Sequence, residues 1–109
     1  MPFKTLPIIQ IGGHIYDVEL CNSPAVSQQG HQGDSHSQAM SIRVATTLID
    51  GGDRNISDVE EILLHELLHQ INIVWGCDID ETNIDRMAQG LLQVLKQFNV
   101  KMVKVADEY

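Results

Sequence analysis

The chain has 109 residues, 43% of them hydrophobic and 20% charged, with a formal net charge of −8. That length suits one domain with a core of modest size, and the balance of apolar to charged residues excludes wholesale disorder. Seven basic residues set against fifteen acidic ones offer no cationic surface to nucleic acid or an anionic membrane, both of which draw their affinity from Lys and Arg.

The opening MPFKTLPIIQIGGH lacks the long uninterrupted apolar region of a signal peptide, and no stretch approaches the roughly eighteen apolar residues of a membrane span. Cys21 and Cys77 lie far apart. With no secretory signal they are expected as reduced thiols in a cytoplasmic protein. Residues 8–20 alternate loosely around Gly12-Gly13, which predicts two short strands joined by a tight turn, or one strand with a bulge. Residues 22–38 are rich in Ser, Gln and Gly, the composition of a long functional or mobile loop. Alternation resumes over 39–49, with Met40, Ile42, Val44 and Thr46 on one face and Ser41, Arg43, Ala45 and Thr47 on the other. That pattern predicts a strand.

Ser57-Asp58-Val59-Glu60 fits the Ser-x-x-Glu capping box that starts a helix. Val59, Ile62, Leu63, Leu64, Leu67, Leu68 and Ile71 then form a broad apolar stripe. Gly76, a natural left-handed cap, is expected to stop this helix near Trp75. A second helix opens around Asp80, carries Ile84, Met87, Ala88, Leu91, Leu92, Leu95 and Phe98 at helical spacing, and ends at Asn99. The tail over 99–109 either adds a strand or lies free. The expected fold is a single α+β domain over 1–109, with strands and loop from 8–49 forming a small antiparallel sheet packed on an antiparallel helix pair over 57–98.

The first helix carries His65-Glu66-x-x-His69. Residues four apart share a helix face, with Cβ atoms about 5–6 Å apart, so both imidazoles can hold one cation at about 2.0–2.1 Å. Glu66 is offset by about a quarter turn, placed to take a proton from a water activated by the metal. If the chain folds back at Trp75, Glu81 comes level with His69 and Asp85 with His65, because residues equally distant from the turn meet. Three ligands and a carboxylate that orients one histidine follow, with the fourth position open, as in a catalytic site. A plainer reading has both histidines bonded to backbone carbonyls, and Glu81 and Asp85 as acids favoured at a helix start. Asp78 or Asp80 in place of Glu81, and Cys77 as a further ligand, are the other options.

HELLH at 65–69 followed by ETNID at 81–85 resembles the gluzincin metallopeptidases, whose signature is His-Glu-x-x-His and then Glu-x-x-x-Asp on a second helix. In size and strand-then-helix layout the chain also resembles small phage-like zinc peptidase domains. The resemblance implies a zincin-like fold, His65, His69 and Glu81 as ligands to Zn²⁺, Glu66 as general base, and Asp85 as partner of His65. The interval between His69 and Glu81 is shorter than in the larger members. No Tyr or His follows the second helix except Tyr109, so the group that stabilises the oxyanion stays open among Tyr109, His14, His31, His36, Tyr16 and Arg43.

The expected function is therefore hydrolysis of a peptide or protein substrate by water activated at zinc. The substrate would add as a strand along the edge formed by 39–49, and the 22–38 loop would cover or flank the cleft. The competing function is a metal-binding interaction module that docks a partner without chemistry.

Overall fold

The structure is a computed structural model that describes residues 3–21, 33–36, 40–47 and 52–105. Strand β1 (Phe3–Lys4) leads into the hairpin of β2 (Ile8–Ile11) and β3 (His14–Cys21). Ile11 pairs with His14 across the turn at Gly12-Gly13, so the first of the two expectations for this stretch holds. After β4 (Gly33–His36) and β5 (Ser41–Ala45) come helices α1 (Ile56–Trp75) and α2 (Glu81–Gln97), then β6 (Lys104–Val105).

The α+β class is as expected, but the sheet differs from a purely antiparallel one. Its order is β2-β3-β5-β4, and β3 runs parallel to β5, with Asp17 opposite Ser41 and Cys21 opposite Ala45. Parallel neighbours need a crossover of a dozen or more residues, and the chain between Cys21 and Ser41 is long enough to return to the same end. Four of the residues expected in a loop form β4, which pairs antiparallel with β5. The rest of that loop, with its covering role, lies outside the described residues. Because β4 flanks β5, the expected edge strand is interior, and β4 is the edge among the described residues. The tail adds a strand: β6 pairs antiparallel with β1, Phe3 opposite Val105.

Helix α1 is the middle layer. One face, with Val59, Ile62, Leu63 and Leu67, packs on Ile11, Tyr16, Val18, Ile42 and Val44 of the sheet. Another, with Leu64 and Leu68, packs on Ile84, Ala88 and Leu92 of α2. Burial on two sides explains why its apolar stripe is so broad. No helix among the described residues is long and apolar enough to cross a membrane.

The start of α1 departs from the Ser57 capping box. Asn55 is the N-cap, and its side chain accepts from the Asp58 N–H at 2.9 Å. Glu60, freed from capping, is buried, and its Oε2 accepts from the N–H groups of Met102 and Val103 at 2.9 and 3.3 Å. A buried carboxylate needs such donors. Thr5 adds a bond to the Met102 carbonyl at 2.7 Å, so the β1–β6 ribbon is tied to the base of α1. Asn99, at φ 59°, ends α2 as the spacing suggested.

Candidate metal centre

The fold-back that brings the donors together is built at one turn. Gly76 ends α1 in the left-handed conformation, φ 61° and ψ 42°, with its N–H on the Asn72 carbonyl, a geometry that glycine adopts without a Cβ clash. The Asn72 carbonyl also accepts from the Cys77 N–H at 3.1 Å. The Asn72 side chain then grips Ile79 on both sides: Nδ2 donates to its carbonyl and Oδ1 accepts from its N–H, each at 3.0 Å. One residue later Asp80 caps α2 by accepting from the Asn83 N–H at 2.8 Å. Glu81, the first residue of α2, is thereby delivered to the side of α1 that bears the histidines.

The two imidazoles converge with Nε2 atoms 3.0 Å apart and ring centroids 4.7 Å apart. Glu81 spans them, Oε1 lying 2.8 Å from His65 Nε2 and Oε2 lying 2.8 Å from His69 Nε2. Asp85 Oδ1 stands 3.5 Å from His65 Nδ1, an ion-pair distance longer than a good hydrogen bond, and Asp85 Oδ2 accepts from Gln89 at 3.2 Å. Both histidine side chains are largely buried, while Glu81 and Asp85 are open to solvent. Glu66 is buried and joins the histidines in a group whose ligating atoms all lie within 4.8 Å of one another.

This donor set fits a small divalent cation. Tetrahedral coordination at about 2.0–2.1 Å separates neighbouring ligand atoms by roughly 3.3 Å, close to the 2.8–3.0 Å among the two Nε2 atoms and the Glu81 oxygens. The two imidazole nitrogens and two carboxylate oxygens are also the mixture that borderline metals take. The His65, Glu66 and His69 group can hold a metal ion. Of the carboxylates, Glu66 belongs to that group, and Glu81, outside it, contacts both imidazole nitrogens at 2.8 Å.

The other expected participants fall elsewhere. Asp80 is used as a cap, Asp78 sits exposed at φ 57°, and Cys77 is an exposed free thiol in the turn. None belongs to the His65, Glu66 and His69 group, nor does Glu81, but of these four only Glu81 contacts the imidazoles. Cys21 is buried, and its thiol donates to Glu19 Oε1 at 3.6 Å. Tyr16 is 2% exposed in the sheet core, His14 opens β3 at the surface, Arg43 lies on β5 and His36 on β4. His31 and Tyr109 lie outside the described residues.

Strand β4 forms the wall beside Glu66. A Cβ at Gly33 would stand 2.7 Å from Ile62 Cγ2, 3.0 Å from the Arg43 carbonyl oxygen and 3.4 Å from Glu66 Cγ. Only a residue without a side chain lets this edge lie so close to α1.

Asn72 holds the turn, a role that the sequence did not announce. It sits between Ile71 and Ile73, and a bond to a backbone seven residues ahead has no local signature. Its replacement Asn72→Ala leaves both Ile79 groups without partners, at a cost of about 1–3 kcal/mol. Loosening the carboxylate that Ile79 positions should weaken metal affinity about 10–100-fold, read by competition with a chromophoric chelator. A lowered melting temperature with unchanged affinity would limit Asn72 to a stabilising role.

No family model, curated protein or solved structure matched the chain, and the gluzincin resemblance rests on the motif residues alone.

Proposed function

We propose that His65, His69 and Glu81 hold a divalent cation, zinc by the nature of the donors, and that the chain hydrolyses peptide bonds with Glu66 as general base. The observation that carries this reading is that the two Nε2 atoms lie 3.0 Å apart and each contacts one Glu81 oxygen at 2.8 Å, with buried Glu66 in one group with the histidines. A cation bound there supplies Lewis acidity, lowering the pKa of a water and polarising a carbonyl oxygen.

The remaining steps belong to the chain. The carboxylate of Glu66 takes a proton as the water oxygen bonds to the peptide carbon, then gives it to the amine nitrogen as the C–N bond breaks. Glu66 is buried beside β4, which limits the water that can compete for its proton. Asp85 faces Nδ1 of His65 and favours the tautomer that leaves the Nε2 lone pair free. The substrate lies along β4, the edge strand among the described residues, to which an extended peptide adds as a further strand.

The deciding variant is Glu66→Gln. It is expected to keep one metal per chain while cleavage of a peptide library falls about 10²–10⁴-fold. Undiminished cleavage in this variant would overturn Glu66 as the base. A wild-type chain that binds metal and leaves every peptide intact is instead the docking module, with the same site used for structure.

A further inference from the structure

A cavity at the base of α1 uses none of the metal centre's residues. It encloses about 380 Å³ between the first turn of α1, the C-terminal end of α2 and β6, in the range of roughly 300–1,000 Å³ usual for small-molecule pockets. Ser57, on its wall, precedes His65 by roughly 12 Å of helix rise. Charge is concentrated here. The chain has four lysines against fifteen acidic residues, and three of them, Lys96, Lys101 and Lys104, line this one cavity. The fourth, Lys4, stands opposite Lys104 across the β1–β6 pair, an arrangement in which like charges repel. Lys96 Nζ is held on the Ser57 hydroxyl.

The cavity also holds an acceptor in need of a donor. Glu60 lines it and is 5% exposed. Its Oε2 takes the N–H groups of Met102 and Val103, while Oε1 has no partner among the described residues. A buried carboxylate oxygen left without a donor is costly. A ligand hydroxyl satisfies it, which a bare anion cannot do. The lysines select the other end of the ligand. Ammonium groups are point charges with rotatable donors, suited to a tetrahedral phosphate with three free oxygens, whereas arginine is the residue for flat, bidentate carboxylate pairing. Among the described residues no arginine lines the cavity. The start of α1 adds to this field. The Asp58 and Val59 N–H groups are taken by Asn55, and those of Ile56 and Ser57, also on the wall, precede any acceptor within the helix. Ile56 and Val100 offer apolar surface to a short carbon skeleton.

We propose that this cavity binds a small hydroxylated phosphate monoester, with its phosphate on Lys96, Lys101 and Lys104 and a hydroxyl donating to Glu60 Oε1. The proposal is independent of the metal centre's chemistry.

Titration of the full chain with glycerol 3-phosphate, followed by amide NMR, tests it. Shifts that saturate at millimolar concentration or below are expected at Ser57, Val100 and Lys101, with His65 and His69 unmoved. Glycerol should cause none. Methyl phosphate, which carries the charge without a hydroxyl, should bind roughly tenfold more weakly or worse. Lys101 is exposed, so Lys101→Gln should keep the wild-type Tm while weakening glycerol 3-phosphate about tenfold. Glu60→Gln retains an oxygen for Met102 and Val103 and should narrow the gap between the two phosphates. If that variant does not fold, Lys101→Gln and Lys96→Gln carry the test. A titration without saturation at these amides overturns the proposal, as do lysine variants that both bind like the wild type. Shifts confined to His65 and His69 also overturn it, because the phosphate then sits at the metal centre. Methyl phosphate binding as tightly as glycerol 3-phosphate overturns the hydroxyl contact to Glu60.

Discussion

Replacing His65 or His69 by Ala is expected to take bound metal from one ion per chain to none, read by elemental analysis of the purified protein. The same variants should lose their response to chelator. A cation held only by the folded state stabilises it by about 2.7 kcal/mol at a hundredfold excess over Kd. At roughly 4–8 °C per kcal/mol for a domain of this size, removing the ion should lower the wild-type Tm by roughly 10–20 °C. The Ala variants should already melt at the lower temperature, with and without chelator. Glu81→Ala makes the sharper comparison. Its side chain is 68% exposed, so the apo fold should be almost unaffected while affinity falls. If Glu81→Ala binds metal as tightly as the wild type, its contacts are ion pairs to the histidines and the donors are His65, His69 and Glu66.

The largest loss of stability is expected for Leu63→Ala. Leu63 has no exposed surface and lies in the cluster that joins α1 to Ile42 and Val44 of the sheet. Truncating such a leucine removes its transfer free energy and leaves a cavity, about 2–5 kcal/mol together. A domain has only about 5–15 kcal/mol in all. Urea unfolding should show a lower midpoint with an unchanged slope. Leu63 sits two residues before His65 on the same helix, so the measurement is informative with and without metal. If the cluster keeps its geometry, metal adds the same increment to wild type and variant. A larger loss in the metal-saturated pair would mean that the cavity also displaces the imidazoles.

Much of the site was legible because its determinants are local. Periodicity 3.6 put His65 and His69 on one face, Gly76 marked the stop, and equal distances from Trp75 placed Glu81 and Asp85 against the histidines. The observed contacts at 2.8 Å and 3.5 Å follow that alignment. What escaped depends on distant partners. Gly33-Asp34-Ser35-His36 is poor in strand-forming residues and becomes β4 only because β5 offers a free edge. Alternation reads the same in a parallel and an antiparallel strand, so the β3–β5 orientation was hidden. Ser57 and Glu60 satisfy a capping pattern, yet Asn55 captures the helix start. Glu60 is drawn instead to the N–H groups of Met102 and Val103, more than forty residues ahead.

The bare position at Gly33 sets how closely β4 lies on α1. Any bulk there would collide with Ile62 and the Arg43 carbonyl, lifting the outermost strand off the helix. The spacing between β4 and the buried Glu66 would then widen. Clearance between the two walls is thus governed by one missing methyl group, at a locus that donates nothing to a cation and takes no proton.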